Sequence, residues 1–195
     1  MESVIPRIFA NEQGSVTAFA EETEHLKENI CRLLSDRNIY VMPKNVQILA
    51  ETNQIISYLA MLYLREGDCI IAEEPMVPDN FSIFYNRGIE EQIRGRKPKF
   101  IYTIPNFHNP TGITMSLEKR MTLLRLADTY NVPVIEEDYL WDFRYDGKDI
   151  PSLYTLDTNK MVIYLYSFTL IFPYMMKIAF ALGPSDFIDM LGYAV

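Results

Sequence analysis

Residues 101 to 112 read Ile101-Tyr102-Thr103-Ile104-Pro105-Asn106-Phe107-His108-Asn109-Pro110-Thr111-Gly112. The run begins with β-branched and aromatic residues, which suit a buried strand. It breaks at Pro105 and passes two asparagines before Gly112, which is turn chemistry, because proline fixes φ while asparagine and glycine tolerate left-handed backbone. Two later apolar runs repeat the pattern. Residues 132–135 form a predicted strand that ends in Glu136-Glu137-Asp138-Tyr139, and residues 161–166 another that ends in Ser167-Phe168-Thr169. Three strands thus deliver polar residues at their C-terminal ends, where open α/β sheets place ligands.

Between these strands the sequence alternates with helical patterns. Ser116 is a predicted N-cap for a helix running to Tyr130. Upstream, Thr23, Leu26, Ile30, Leu33 and Leu34 recur at helical spacing, predicting an amphipathic helix from Phe19 to near Asp36, and residues 53–65 predict a second one stopped by Gly67. Strands are expected at residues 69–72, 100–104 and 177–182, a helix at 78–87, and a short terminal helix after Ser185. Strands alternating with helices predict a mostly parallel α/β sheet covered by helices on both faces. Residues 1–18 show weak periodicity and are expected to form an irregular N-terminal arm, leaving 19–195 as one large domain.

Composition narrows the function classes. With 49% hydrophobic and 23% charged residues the chain is an ordinary globular one. A net charge of -8 argues against a nucleic-acid surface, since phosphate binding needs clustered Lys and Arg. Cys31 and Cys69 lie in apolar patterns and read as buried hydrophobes rather than a disulfide, and two histidines without Cys spacing make no metal motif. No apolar run approaches membrane-spanning length and no basic-then-apolar leader opens the chain, so a cytoplasmic location is expected.

Taken together, Pro105-Asn106-Phe107-His108-Asn109-Pro110-Thr111-Gly112, Glu136-Glu137-Asp138-Tyr139 and Ser167-Phe168-Thr169 resemble the class I/II aminotransferases, the fold type I family dependent on pyridoxal phosphate (PLP). The closest flavour is the aminotransferase-like domain of MocR/GntR-type regulators, which write this region P-N-F-x-N-P-T-G, then E-D-D-Y, then S-F-[ST]-K. The resemblance spans residues 24–190 and leaves two gaps against the family pattern: an edge strand after Gly88, and the small C-terminal domain that closes over substrate.

The resemblance implies specific roles. Asn109 matches the donor to the cofactor's ring hydroxyl, and Tyr139 is the matching tyrosine. Glu137 stands where the family has the aspartate that pairs with the pyridine nitrogen, one methylene longer. Taken alone, the three acidic residues would read as a solvated strand end. Thr52 and Ser167 fall in the phosphate cup, and Lys177 replaces its arginine, keeping charge but losing the bidentate fork. Glu51 occupies a glycine position of that cup, and Val77 replaces the aromatic that stacks on the ring. A carboxylate ~5 Å from a dianionic phosphate, at an effective dielectric near ~20, repels it by roughly 6 kcal/mol, while a helix terminus returns about 0.3–2. Leu170 is the decisive departure, because it falls on the Schiff-base lysine and reads simply as a buried apolar residue after a strand.

Two functions follow. The family activity is PLP-dependent amino-group transfer between an amino acid and a 2-oxo acid, impaired here by Leu170, which leaves no residue in a catalytic role. The alternative is a non-catalytic sensor or structural module derived from a MocR-type regulator. In either case the expected partners are an amino acid or PLP and a second copy of the chain, since loss of the edge strand after Gly88 would uncover the strand at 69–72.

Overall fold

A computed structural model describes residues 12–76, 82–83, 97–171 and 177–194. The chain divides into two compact units, Met1–Pro43 and Lys44–Val195. The first holds helix α1, Glu12–Ser35. It starts at Glu12 rather than Phe19, so residues 12–18 are helical and not part of an irregular arm. Once a helix is nucleated, each further residue adds a bond at little cost, and this outweighs the weak periodicity of Gly14 to Thr17.

The second unit contains a six-stranded sheet in the order β1-β6-β5-β4-β3-β2. The strands are β1 Val46–Leu49, β2 Ile71–Ala72, β3 Ile101–Thr103, β4 Val134–Glu137, β5 Val162–Ser167 and β6 Ala179–Leu182. β2, β3, β4 and β5 pair in parallel, while β6 runs antiparallel between β5 and β1. The mostly parallel sheet is as expected. β1 is an addition to the expected strands, because four residues between a 3-10 turn at Pro43–Asn45 and the next helix give too short an alternation to register.

Helices cover both faces, and strand alternation decides which residues meet them. Tyr102, Ile135 and Leu165 pack with Ile55, Ile56 and Leu59 of α2 (Thr52–Tyr63) and with Phe187, Ile188 and Leu191 of α5 (Ser185–Ala194). Their neighbours Ile101, Val134 and Val162 face the other way, against Ala127 of α3 (Leu117–Tyr130) and Leu153 of the one-turn helix α4 (Leu153–Leu156). The Ser116 hydroxyl accepts from Lys119 N at 3.4 Å, and Asn131 closes α3 in left-handed backbone. Residues 89–96, after Gly88, and most of the expected helix at 78–87 lie outside the described residues; of that helix Ser82 and Ile83 are described and are helical. Among the described residues, no helix is long and apolar enough to cross a membrane.

Candidate functional site

Because β1 to β5 all run in one direction, their C-terminal ends and the start of β6 lie at one end of the sheet. After β3 the chain makes the turn announced by Asn109-Pro110-Thr111-Gly112. Gly112 N donates to His108 O at 2.6 Å, and His108 N donates to Ile113 O at 2.8 Å. The Asn109–Pro110 peptide is cis, and Gly112 sits at φ +70°, a conformation that favours glycine. The turn is stapled to the edge of the sheet. His108 Nδ1 lies 2.8 Å from Thr111 Oγ1, its Nε2 lies 3.6 Å from Glu73 Oε2, and the other Glu73 oxygen accepts from the Thr103 hydroxyl and from Ile104 N. The turn aims Asn109 across the sheet end, where its Nδ2 donates to the Tyr139 hydroxyl at 2.8 Å. Burial raises the Tyr139 phenol above its ordinary range, partly offset by that bond from Asn109. Two predicted site residues are therefore in direct contact.

The acidic triplet is not a solvated strand end. Glu136 and Glu137 belong to β4, and both are buried, as is Asp138. Alternation sends the two glutamates to opposite faces. Glu136 accepts the Leu153 and Tyr154 backbone N–H groups at 2.8 Å each, and burial followed by the neighbouring Asp138 pushes its carboxyl up to about 8 despite those donors. Glu137 points to the α2 side, where it accepts a short hydrogen bond from the Tyr102 hydroxyl, one strand away. Asp138 accepts from Asn106 Nδ2 at 2.8 Å and from the Tyr164 hydroxyl at 3.1 Å.

Sequence reasoning missed the residue that organises this cluster. Arg120, on α3, is fully buried. Its guanidinium donates to Met115 O at 3.1 Å, Pro151 O at 3.0 Å, Pro105 O at 3.1 Å and Asn106 Oδ1 at 2.6 Å. Burial lowers its pKa, countered by the Glu136 and Asp138 carboxylates. It anchors both ends of the Pro105-Asn106 step from which the turn departs. Nothing in Leu117-Glu118-Lys119-Arg120 distinguishes it from an exposed helix-face arginine such as Arg125.

Of the remaining predicted residues, Thr52 and Lys177 lie at or beside the start of α2, and Ser167 lies at the end of β5. Thr52 is the first residue of α2 and is buried. The Ser167 hydroxyl, at the end of β5, lies 2.7 Å from Thr169 Oγ1 and accepts from Thr169 N at 3.2 Å. Lys177 Nζ lies 2.5 Å from Glu51 Oε1. Leu170 is 48% exposed in the turn after β5, not buried as expected, because β5 ends at Ser167 and the chain leaves the core there. Val77 lies outside the described residues. No metal-binding group of acidic, histidine or cysteine side chains forms among the described residues.

Comparison with known proteins agrees with this architecture. No family model matches the chain. It is 26% identical over 183 residues to the uncharacterized HTH-type transcriptional regulator YisV of Bacillus subtilis, covering 85% of this chain and 38% of that protein. It is 25% identical over 179 residues to aromatic-amino-acid aminotransferase 1 of Thermococcus litoralis, covering 80% of this chain and 43% of the enzyme. In fold it matches LysN, the alpha-aminoadipate aminotransferase of Thermus thermophilus, solved with N-(5'-phosphopyridoxyl)-L-leucine. The TM-score is 0.78 at 24% identity over 87% of this chain and 47% of LysN. The chain spans less than half the length of each of these three proteins. With its three ordered motifs at the C-terminal end of this sheet, the chain is homologous to the PLP-dependent aminotransferases and to the MocR-type regulators that carry an aminotransferase domain.

Proposed function

We propose that this chain is an aminotransferase-like domain that has lost the covalent step of its relatives. The observation that carries the reading is Leu170. The S-F-[ST]-K pattern puts the Schiff-base lysine there, and a hydrocarbon side chain has no amine to condense with an aldehyde. The rest of the site fits PLP only in part. Asn109 and Tyr139 stand together as a ring-hydroxyl pair would require, and Ser167 keeps a hydroxyl at the end of β5. Against this, Glu137 is engaged by Tyr102 inside the core, and Lys177 is held by a carboxylate. These residues do not fit a covalently bound PLP, and no catalytic step is assigned to them.

The test is chemical. Purified protein mixed with PLP should show no internal-aldimine absorbance band, and after borohydride reduction mass spectrometry should find no pyridoxyl group on the peptide spanning Ser167 to Lys177. Label on Lys177 would show that this lysine has taken over, and the reading would fall.

The regulator relatives support a second reading, a sensor or structural module that binds an amino acid or PLP without turning it over. A PLP-induced rise in melting temperature without turnover would favour it. We also propose self-association, supported by β2, which among the described residues pairs on one side only, with Ile71 partly exposed.

A further inference from the structure

The antiparallel register of β1 and β6 runs from Val46 opposite Leu182 to Leu49 opposite Ala179. Two residues further along the same register, Glu51 and Lys177 fall opposite one another, and their side chains meet at 2.5 Å. Glu51 is also the residue immediately before α2, yet its side chain makes no capping bond to that helix. Its carboxylate is spent on the lysine. Gln54, in the first turn, reaches back instead to the chain before the helix, where its side-chain oxygen accepts from Ala50 N at 3.3 Å. A negative charge beside a helix N-terminus also offsets the positive end of the helix dipole. One carboxylate therefore cancels both features that would attract an anion here, the Lys177 ammonium and the helix terminus. The Ser167 and Thr169 hydroxyls, bonded to each other after β5, bring no charge.

We propose that Glu51 is a built-in competitor for phosphate monoesters. It fills the anion position at this end of the sheet with the chain's own carboxylate, so that Lys177 is neutralised without ligand. The inference rests on the kinship with aminotransferases but not on Leu170, because it concerns non-covalent anion binding. The side chains of Lys177 and Glu51 are 67% and 41% exposed, and an exposed pair adds little to stability. Its consequence is selective exclusion, not folding. A soluble phosphate must displace a tethered partner and then share the site with a like charge.

The experiment measures binding of inorganic phosphate and of PLP by calorimetry, at fixed ionic strength, to the wild-type chain, Glu51→Gly, the near-isosteric Glu51→Gln, and Glu51→Gly/Lys177→Ala. Circular dichroism verifies folding of each. Wild type should show no saturable binding below millimolar concentration. Glu51→Gly should bind both probes at least roughly tenfold tighter, Glu51→Gln should share part of that gain, and the double variant should lose it. Equal affinity of wild type and both single variants would overturn the inference, as would a gain that survives removal of Lys177. The two readings fail separately. A coloured aldimine in the wild-type chain sinks the Leu170 argument, whereas unchanged phosphate affinity with no aldimine sinks only the role of Glu51.

Discussion

Replacing Arg120 tests the organisation of the site at its base. Arg120→Met fills similar volume while removing a buried charge and its four donated hydrogen bonds, to Met115 O, Pro151 O, Pro105 O and Asn106 Oδ1. Pro105 O still accepts from Met115 N and Asn106 Oδ1 from Arg144, so Met115 O and Pro151 O bear the loss; at about 1–3 kcal/mol for each buried acceptor left unpaired the two sum to about 2–6. Relaxation and water entry reduce this, and removal of one partner from a buried charged network typically costs about 3–5 kcal/mol. Taking ~4 kcal/mol and a urea dependence of about 2 kcal/mol per M, the unfolding midpoint should fall by about 2 M. That is a large part of the roughly 5–15 kcal/mol typical of a domain. Urea unfolding followed by circular dichroism is the assay, with the exposed Arg125→Ala on the same helix as a control expected to stay within about 0.5 kcal/mol. A midpoint shift below ~0.5 M at unchanged slope would refute the claim that Arg120 ties Pro105 and Asn106 to the core.

Two further outcomes are expected. Leu170→Lys restores an amine in the turn after β5 but leaves Glu51 on Lys177, so transaminase activity should stay undetectable in a coupled assay with PLP and amino acids; measurable turnover would mean that the ion pair is no obstacle. The Glu136 carboxyl, raised from 4.5 to about 8, keeps its proton in the native state across a window where the unfolded chain has released it. Because the native state then binds more protons, stability should fall as pH rises between those two values, by at most about 1.4 kcal/mol per pH unit, and Glu136→Gln should flatten that slope. Thermal or urea unfolding at several pH values reads this directly, and an unchanged slope in the variant would contradict the assignment.

What the sequence disclosed and what it hid have different physical origins. The turn at Asn109-Pro110-Thr111-Gly112 and the cap at Ser116 depend on local backbone chemistry carried by nearby residues, so the motifs announce them. Arg120, Glu136 and Tyr102 act through partners brought in by the sheet, and a lone arginine or a Glu-Glu pair has no signature of burial before the fold exists. Leu170 shows the converse. Hydrophobicity predicted an interior position, but β5 stops at Ser167, and the turn beyond it faces water.

The placement of β6 between β1 and β5 also sets an order of assembly. Val46 to Leu49 find their partners in Ala179 to Leu182, made much later, whereas β3, β4 and β5 meet neighbours made shortly before or after them. At about 5–20 residues per second of synthesis, β1 waits on the order of ten seconds for its mate to leave the ribosome. During that time the parallel core of β3, β4 and β5 can form while the apolar side of α2 has only part of its cover. β6 is thus made long after the strand it admits, and a ribosome stalled before residue 179 would hold a nascent chain in which β1 lacks β6, a natural target for holding chaperones.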